Sequence, residues 1–194
     1  MVARGHDRGF AYSIERWQHM KIREATADDA ERISEVHLEA FGQPEGRMVA
    51  DCAVSLLNEQ HPVKVLSLVA IEDNALVGHA AFSPVFHAGT CEHFGYILAP
   101  LAVSPEFQKH KIGSSLVRHG LDTIASMGSF VVFVYGDPQY YSRFGFETGL
   151  AGKFIPPYTL QYPEGWHALN QNAAAISEGG PIGCVDSLND PELW

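Results

Sequence analysis

Along the chain the apolar residues change period several times, and each change marks a new element. Met20 to Ala25 reads as a first strand, with Met20 and Ile22 set against Lys21 and Arg23. Thr26 follows as a helix N-cap, with Asp28 and Asp29 in the first turn, where carboxylates favour the positive end of the helix dipole. Ile33, Val36, Leu38, Ala40 and Phe41 predict a helix ending near Gly42. Met48, Val49, Cys52, Ala53 and Leu56 predict a second, from Arg47 to Asn58, stopped by the proline at 62. Two apolar runs, Val65–Ile71 and Ala75–Phe86, flank Glu72-Asp73-Asn74, whose short polar side chains suit a tight turn, so they predict an antiparallel hairpin.

Gly95 to Val103 is the next strand candidate. Pro100 sits inside it and cannot donate to a ladder, so the strand either ends there or carries a bulge. Ile112, Leu116, Leu121, Ile124 and Ala125 predict a helix from Ile112 to Met127, closed by Gly128. Phe130 to Tyr135 is short and wholly apolar, as a strand buried on both faces would be. Strand, turn, helix and strand from Tyr96 to Tyr135 form a crossover unit, which makes its two strands parallel. Asp137-Pro138 can cap and start a short helix reaching Phe144, and Phe146 begins another extended piece. The stretch from Ile155 to Trp166, rich in Pro, Gly and Tyr, reads mostly as loop. Its aromatics Tyr158, Tyr162 and Trp166 could wall a pocket or pack on the core.

A chain of 194 residues with 46% hydrophobic and 19% charged residues fits one globular domain. No apolar run approaches the roughly 20 residues of a membrane helix. Residues 1–19 hold Arg4, His6, Asp7, Arg8, Glu15 and Arg16 without an apolar centre, so they read as an extension and not a secretory signal. The domain itself is expected over 20–170, with 171–194 packed on it. Cys52, Cys91 and Cys184 are too few and too dispersed for a disulfide framework or a zinc site, which points to reduced thiols and the cytoplasm. A net charge of −10 argues against nucleic acid or an anionic membrane as partner. Against that acidity stands a local island, Lys109, His110, Lys111, Arg118 and His119, with no acid between Gln108 and His119. It is either an anion seat or a solvated helix face.

The island falls where a strand feeds a loop that opens into a helix at Ile112-Gly113-Ser114-Ser115. Helix-start N–H groups and the dipole hold phosphates, and small residues allow close approach. The Gly-Lys-Ser/Thr ending of a Walker loop is missing, and so are the three glycines of a dinucleotide fingerprint. The stretch from Gln108 to Ser115 instead resembles the pyrophosphate loop of the GNAT acetyltransferases, Gln/Arg-x-x-Gly-x-Gly/Ala. Lys111 stands where that pattern has its first glycine. Should the position need a positive φ, lysine costs ~1–2 kcal/mol there. The expectation is ordinary helix-start geometry, with Lys111 adding a cation for the anion. A second match lies downstream. Gly136-Asp-Pro-Gln-Tyr-Tyr-Ser-Arg-Phe-Gly-Phe-Glu resembles the family's later motif, in which a tyrosine, here Tyr141, stands four residues before Gly-Phe. Leu98-Ala-Pro-Leu-Ala-Val and Pro157-Tyr-Thr-Leu-Gln-Tyr-Pro-Glu-Gly-Trp add a likeness to the YhbS-like subgroup.

The resemblance implies an α/β (α+β) fold with a mixed, mostly antiparallel twisted sheet, flanking helices, and a splay between strands four and five. It implies acetyl-CoA, or another acyl-CoA, as co-substrate and an amine as acceptor, with direct transfer and no metal. Leu101, Ala102, Val103, Gln108, Lys109, Lys111, Ile112, Gly113, Ser114 and Ser115 would bind the cofactor, with the N–H groups of Leu101 and Val103 gripping the pantetheine and thioester. Tyr141 would assist the departing thiolate, unless it is a core aromatic beside Tyr140 and Phe144. Homodimers are common in the family. A general base is not evident: Glu92, His93 and His87 precede the bulged strand but read first as loop residues, and Asp137 reads as a helix cap. A catalytically quiet acyl-CoA-binding module is the alternative function.

Overall fold

The computed structural model describes residues 20–90, 92–172 and 179–194. The extension 1–19 and Cys91 lie outside the described residues. A central sheet has the strand order β1-β2-β3-β4-β5-β7, comprising β1 (Lys21–Glu24), β2 (Leu66–Glu72), β3 (Ala75–His87), β4 (His93–Val103), β5 (Val131–Tyr135) and β7 (Trp166–Asn170). Only β4 and β5 run parallel along that path; each of the other neighbouring pairs is antiparallel. The helices are α1 (Ala30–Phe41), α2 (Glu45–Leu57), α3 (Ile112–Ser126), α4 (Pro138–Tyr141) and α5 (Thr148–Ala151).

Local chemistry accounts for most boundaries. At the first turn before α1, the Asp29 carboxylate accepts from the Thr26 N–H at 2.7 Å and pairs with Arg23. Gly42, at φ 68°, ends α1 and donates back to the Leu38 carbonyl. Asp73 and Asn74 both take positive φ, 47° and 63°, the conformation of a two-residue hairpin turn that matches strand twist. α2 begins two residues earlier than its apolar stripe indicates, at Glu45.

Strand alternation divides the core into two faces. Leu66, Leu68, Ala80, Phe82, Tyr96, Leu98, Val132 and Val134 point toward α3 and pack against its Ile112, Leu116, Val117 and Ile124. Ser67, Val69, His79 and Ala81 belong to the opposite face, where α1 and α2 lie. The approach of α3 is close: a β-carbon on Gly120 would fall 2.1 Å from the Phe82 ring.

Pro100 does not end its strand. Ala80 pairs with Leu101 and Phe82 with Leu98, so one residue of β3 opposes two of β4, which is a bulge at Ala99–Pro100. Pairing of β4 with β5 begins at Gly95↔Val131 and stops at Leu98↔Val134. Beyond the bulge β4 runs on to Val103 while β5 ends at Tyr135, and the sheet is split there.

The C-terminal segment supplies two features that the sequence pattern leaves hidden. β6 (Phe154–Ile155) pairs in parallel with β8 (Gly180–Cys184), and β8 pairs with the outer end of β3 from Val85↔Cys184 to His87↔Ile182. Leu188, Leu193 and Trp194 then reach the core beside Trp166 and Phe133.

Candidate active site

The open edge of β4 beyond the bulge is the floor of the site. Ser104 donates its N–H to the Val77 carbonyl of β3 at 2.9 Å. Alternation along a strand therefore turns the N–H groups of Leu101 and Val103 the other way, into the split. The Val103 carbonyl points the same way, because the Gln108 side-chain amide reaches it from the cleft side at 3.1 Å. Gln108 thus ties the loop to the strand edge.

The loop Gln108–Lys111 delivers the chain to α3. Lys109 and Lys111 both adopt positive φ, 65° and 66°. This corrects the expectation for Lys111: the glycine of the family pattern is replaced at a left-handed position, and the lysine carries the backbone cost itself. Helix hydrogen bonding begins with Ser115 N–H to Lys111 C=O at 2.9 Å. The N–H groups of Ile112, Gly113 and Ser114 precede it and have no intrahelical acceptor. Leu101, Ala102, Val103, Gln108, Lys109, Lys111, Ile112, Gly113 and Ser114 line one cleft of about 450 Å³, together with Phe107, Tyr140 and Arg143. Of the loop residues expected to contact a cofactor, Ser115 does not line it.

Tyr141 stands on the far side of the split. Asp137 caps α4 by accepting from the Gln139 N–H at 2.8 Å, and its carbonyl accepts from the Tyr140 and Tyr141 N–H groups. Gly136 leaves room for the Tyr141 ring, whose edge lies 2.6 Å from where a β-carbon would sit. Burial raises the Tyr141 hydroxyl above the ordinary phenol range, with Tyr140 and Asp137 adding to the rise. It is a neutral hydrogen-bond donor at physiological pH. The ring lines a second cleft, about 530 Å³, shared with Leu98, Ala99, Pro100, Leu101, Glu45 and Phe41. Tyr140 lines both clefts, and its hydroxyl lies over Gly113 at the start of α3. A third cleft, about 470 Å³, shares Glu45, Tyr135, Asp137 and Leu193 with the second and adds Tyr162, Glu164, Glu192 and Trp194.

The candidate bases of the β3–β4 hairpin are not brought to these clefts. His87 stacks on Phe94 at 4.1 Å, and His93 packs between Phe86 and Tyr96. Glu92 is exposed. The carboxylates on the second cleft are those of Glu45 and Asp137. Of the loop aromatics, Tyr162 lines a cleft, whereas Trp166 is buried against Phe133 and Tyr158 donates to Asn189. Pattern reading missed Tyr140, Arg143 and Glu45. The i, i+3 spacing of Tyr140 and Arg143 on one helical turn was the available signal for the first two. Among the described residues no group of three metal-ligating side chains comes together, and no helix is long and apolar enough to cross a membrane.

A split sheet with an open strand edge, a basic helix start on one lip and a half-buried tyrosine on the other is the frame of an acyl-CoA-dependent acyltransferase. The chain belongs to the acetyltransferase (GNAT) family, whose model matches residues 25–146. It is 34% identical over 172 residues to the uncharacterized N-acetyltransferase YjhQ of Escherichia coli K12, covering 87% of this chain and 93% of that protein. With the uncharacterized N-acetyltransferase YhbS of the same strain it shares 42% identity over 84 residues, 42% of this chain and 49% of YhbS. The crystal structure of Escherichia coli YhbS in complex with CoA superposes with a TM-score of 0.75 at 26% identity, covering 88% of this chain and 92% of that one. A GNAT acetyltransferase from Brucella melitensis in complex with acetyl-CoA gives a TM-score of 0.68 at 29% identity, covering 88% and 98%.

Proposed function

We propose that the protein transfers an acetyl or related short acyl group from acyl-CoA directly to an amine, in the cytoplasm. The observation that carries this reading is the strand edge at Leu101 and Val103, which opens into the split between the basic loop and Tyr141. In it, the pyrophosphate rests on the N–H groups of Ile112, Gly113 and Ser114, with Lys109 and Lys111 as counter-charges. The pantetheine pairs with the edge of β4 as an added strand would.

The amine enters through the second cleft and attacks the thioester carbon. Negative charge develops on the carbonyl oxygen, and a backbone N–H of β4 stabilises it. As the tetrahedral adduct collapses, its nitrogen gives up a proton to solvent, the C–S bond breaks and the sulfur takes the electron pair, leaving a neutral amide and the CoA thiolate. Tyr141 donates a hydrogen bond to that sulfur. A thiol has a pKa of ~8.5 and an ordinary phenol ~10, so complete proton transfer is uphill, and burial makes it more so. Hydrogen bonding to the thiolate is the role left to Tyr141. The attacking ammonium must first lose a proton, and Glu45, on the same cleft, is the carboxylate we assign to receive it. The transfer as written uses no metal.

Thiol release from acetyl-CoA, measured with and without a panel of amines, tests the reading. Tyr141→Phe is expected to lower kcat about tenfold or more, with the acetyl-CoA Kd within about twofold of wild type. Unchanged kcat removes Tyr141 from the mechanism. Acetyl-CoA binding without amine-dependent release makes the protein a binding module.

A further inference from the structure

The cleft at the start of α3 is lined by Lys109, Lys111 and Arg143 and by no carboxylate, on a chain with 23 acidic and 13 basic residues. The two lysines belong to the loop. Arg143 comes from the opposite wall, just after α4, and neither the family pattern nor the transfer chemistry assigns it a task.

Arg143 is held in place at several points. Its Nε donates to the Tyr140 carbonyl at 3.0 Å. The guanidinium lies 4.4 Å from the Tyr140 ring centroid and 5.7 Å from that of Phe144. Tyr140 itself spans the cleft, with its hydroxyl over Gly113 of α3. These contacts use the Nε and the flat of the guanidinium. Its two Nη groups keep their N–H donors, arranged in the planar fork that fits a terminal phosphate.

Charge matching indicates which phosphate. A pyrophosphate diester carries two negative charges, which the helix-start N–H groups and the two lysines balance. Coenzyme A has a third phosphoryl group, the ribose 3′-monoester, which carries close to two more charges near neutral pH. We propose that Arg143 binds this 3′-phosphate, so that the protein selects CoA over its 3′-dephospho form. The proposal rests on the acyl-CoA reading above and adds to it the residue that recognises the far end of the cofactor.

Calorimetric titration of CoA and 3′-dephospho-CoA into wild type, Arg143→Gln, Arg143→Lys and Lys111→Gln tests it. Wild type is expected to bind CoA about tenfold more tightly than 3′-dephospho-CoA, the scale of one charge-assisted contact. Arg143→Gln should erase that ratio while leaving the dephospho-CoA Kd in place, and Arg143→Lys should keep part of it. Lys111→Gln should weaken both ligands by the same factor. A ratio that survives in Arg143→Gln, or an equal loss for both ligands, overturns the assignment. Equal affinity of wild type for the two ligands also overturns it, whereas failure of wild type to bind either removes the acyl-CoA reading itself.

Discussion

The Tyr140 hydroxyl lies 2.8 Å from the point that a β-carbon on Gly113 would occupy. The second residue of α3 therefore has room for the Tyr140 hydroxyl over it only because it lacks a side chain. Gly113→Glu places bulk and negative charge against the pyrophosphate. CoA affinity should fall about a hundredfold or more, by calorimetry, with little change in Tm, because what must move is the end of one side chain. Retained affinity would mean that the cofactor does not use this helix start.

Lys111 has two opposed effects that one substitution separates. At φ 66° its β-carbon costs ~1–2 kcal/mol. Lys111→Gly recovers that cost, and loses part of the gain to a freer unfolded chain. The substitution should thus raise stability by up to about 1 kcal/mol in denaturant titration. The same change removes a cation from the cleft and should weaken CoA about threefold, more at low salt than at high. Tighter binding would show that the lysine obstructs the site.

Beneath α1, His37 Nε2 and His79 Nδ1 share a hydrogen bond of 2.8 Å, and Ser67 Oγ lies 2.9 Å from His79 Nε2. Both rings are fully buried. Burial drives His37 down to about 3 and His79 well below its ordinary value, the latter also through His37, with the Asp29 charge opposing. The unfolded chain protonates both near ~6.5, whereas the folded chain does not. Stability is therefore complete above that pH and declines as pH falls toward the folded values, by ~1.4 kcal/mol per pH unit for each histidine. Denaturant unfolding should approach that slope between about pH 6 and 5, below the unfolded pKa, and His79→Gln should reduce it there by about one proton. A slope that the variant leaves unchanged would show that His79 titrates in the folded protein.

Local patterns carried much of the architecture. Asp73-Asn74 announced the hairpin, Ile112 to Ile124 announced α3, and the spacing of Tyr141 before Gly145-Phe146 announced the tyrosine on the far lip. The short strand β8 did not show itself. Gly180-Pro-Ile-Gly-Cys has no strand periodicity, and it is extended because β3 and β6 pair with it. The hairpin residues His87, Glu92 and His93 drew attention by residue type, yet packing turns the two rings toward neighbouring aromatics and away from the clefts.

What the sequence determined by itself is whatever depends on near neighbours: the capped helices, the tight turn, the small residues at the start of α3 and the order of the two motifs. Only the tertiary structure decided that Lys111 is left-handed, that Arg143 faces the lysines across one cleft, and that Glu45 shares another with Tyr141. The physical reason is distance along the chain. Helix and turn preferences act over a few residues, whereas these relations arise where β4 leaves β5 at the bulge and remote segments close around the opening.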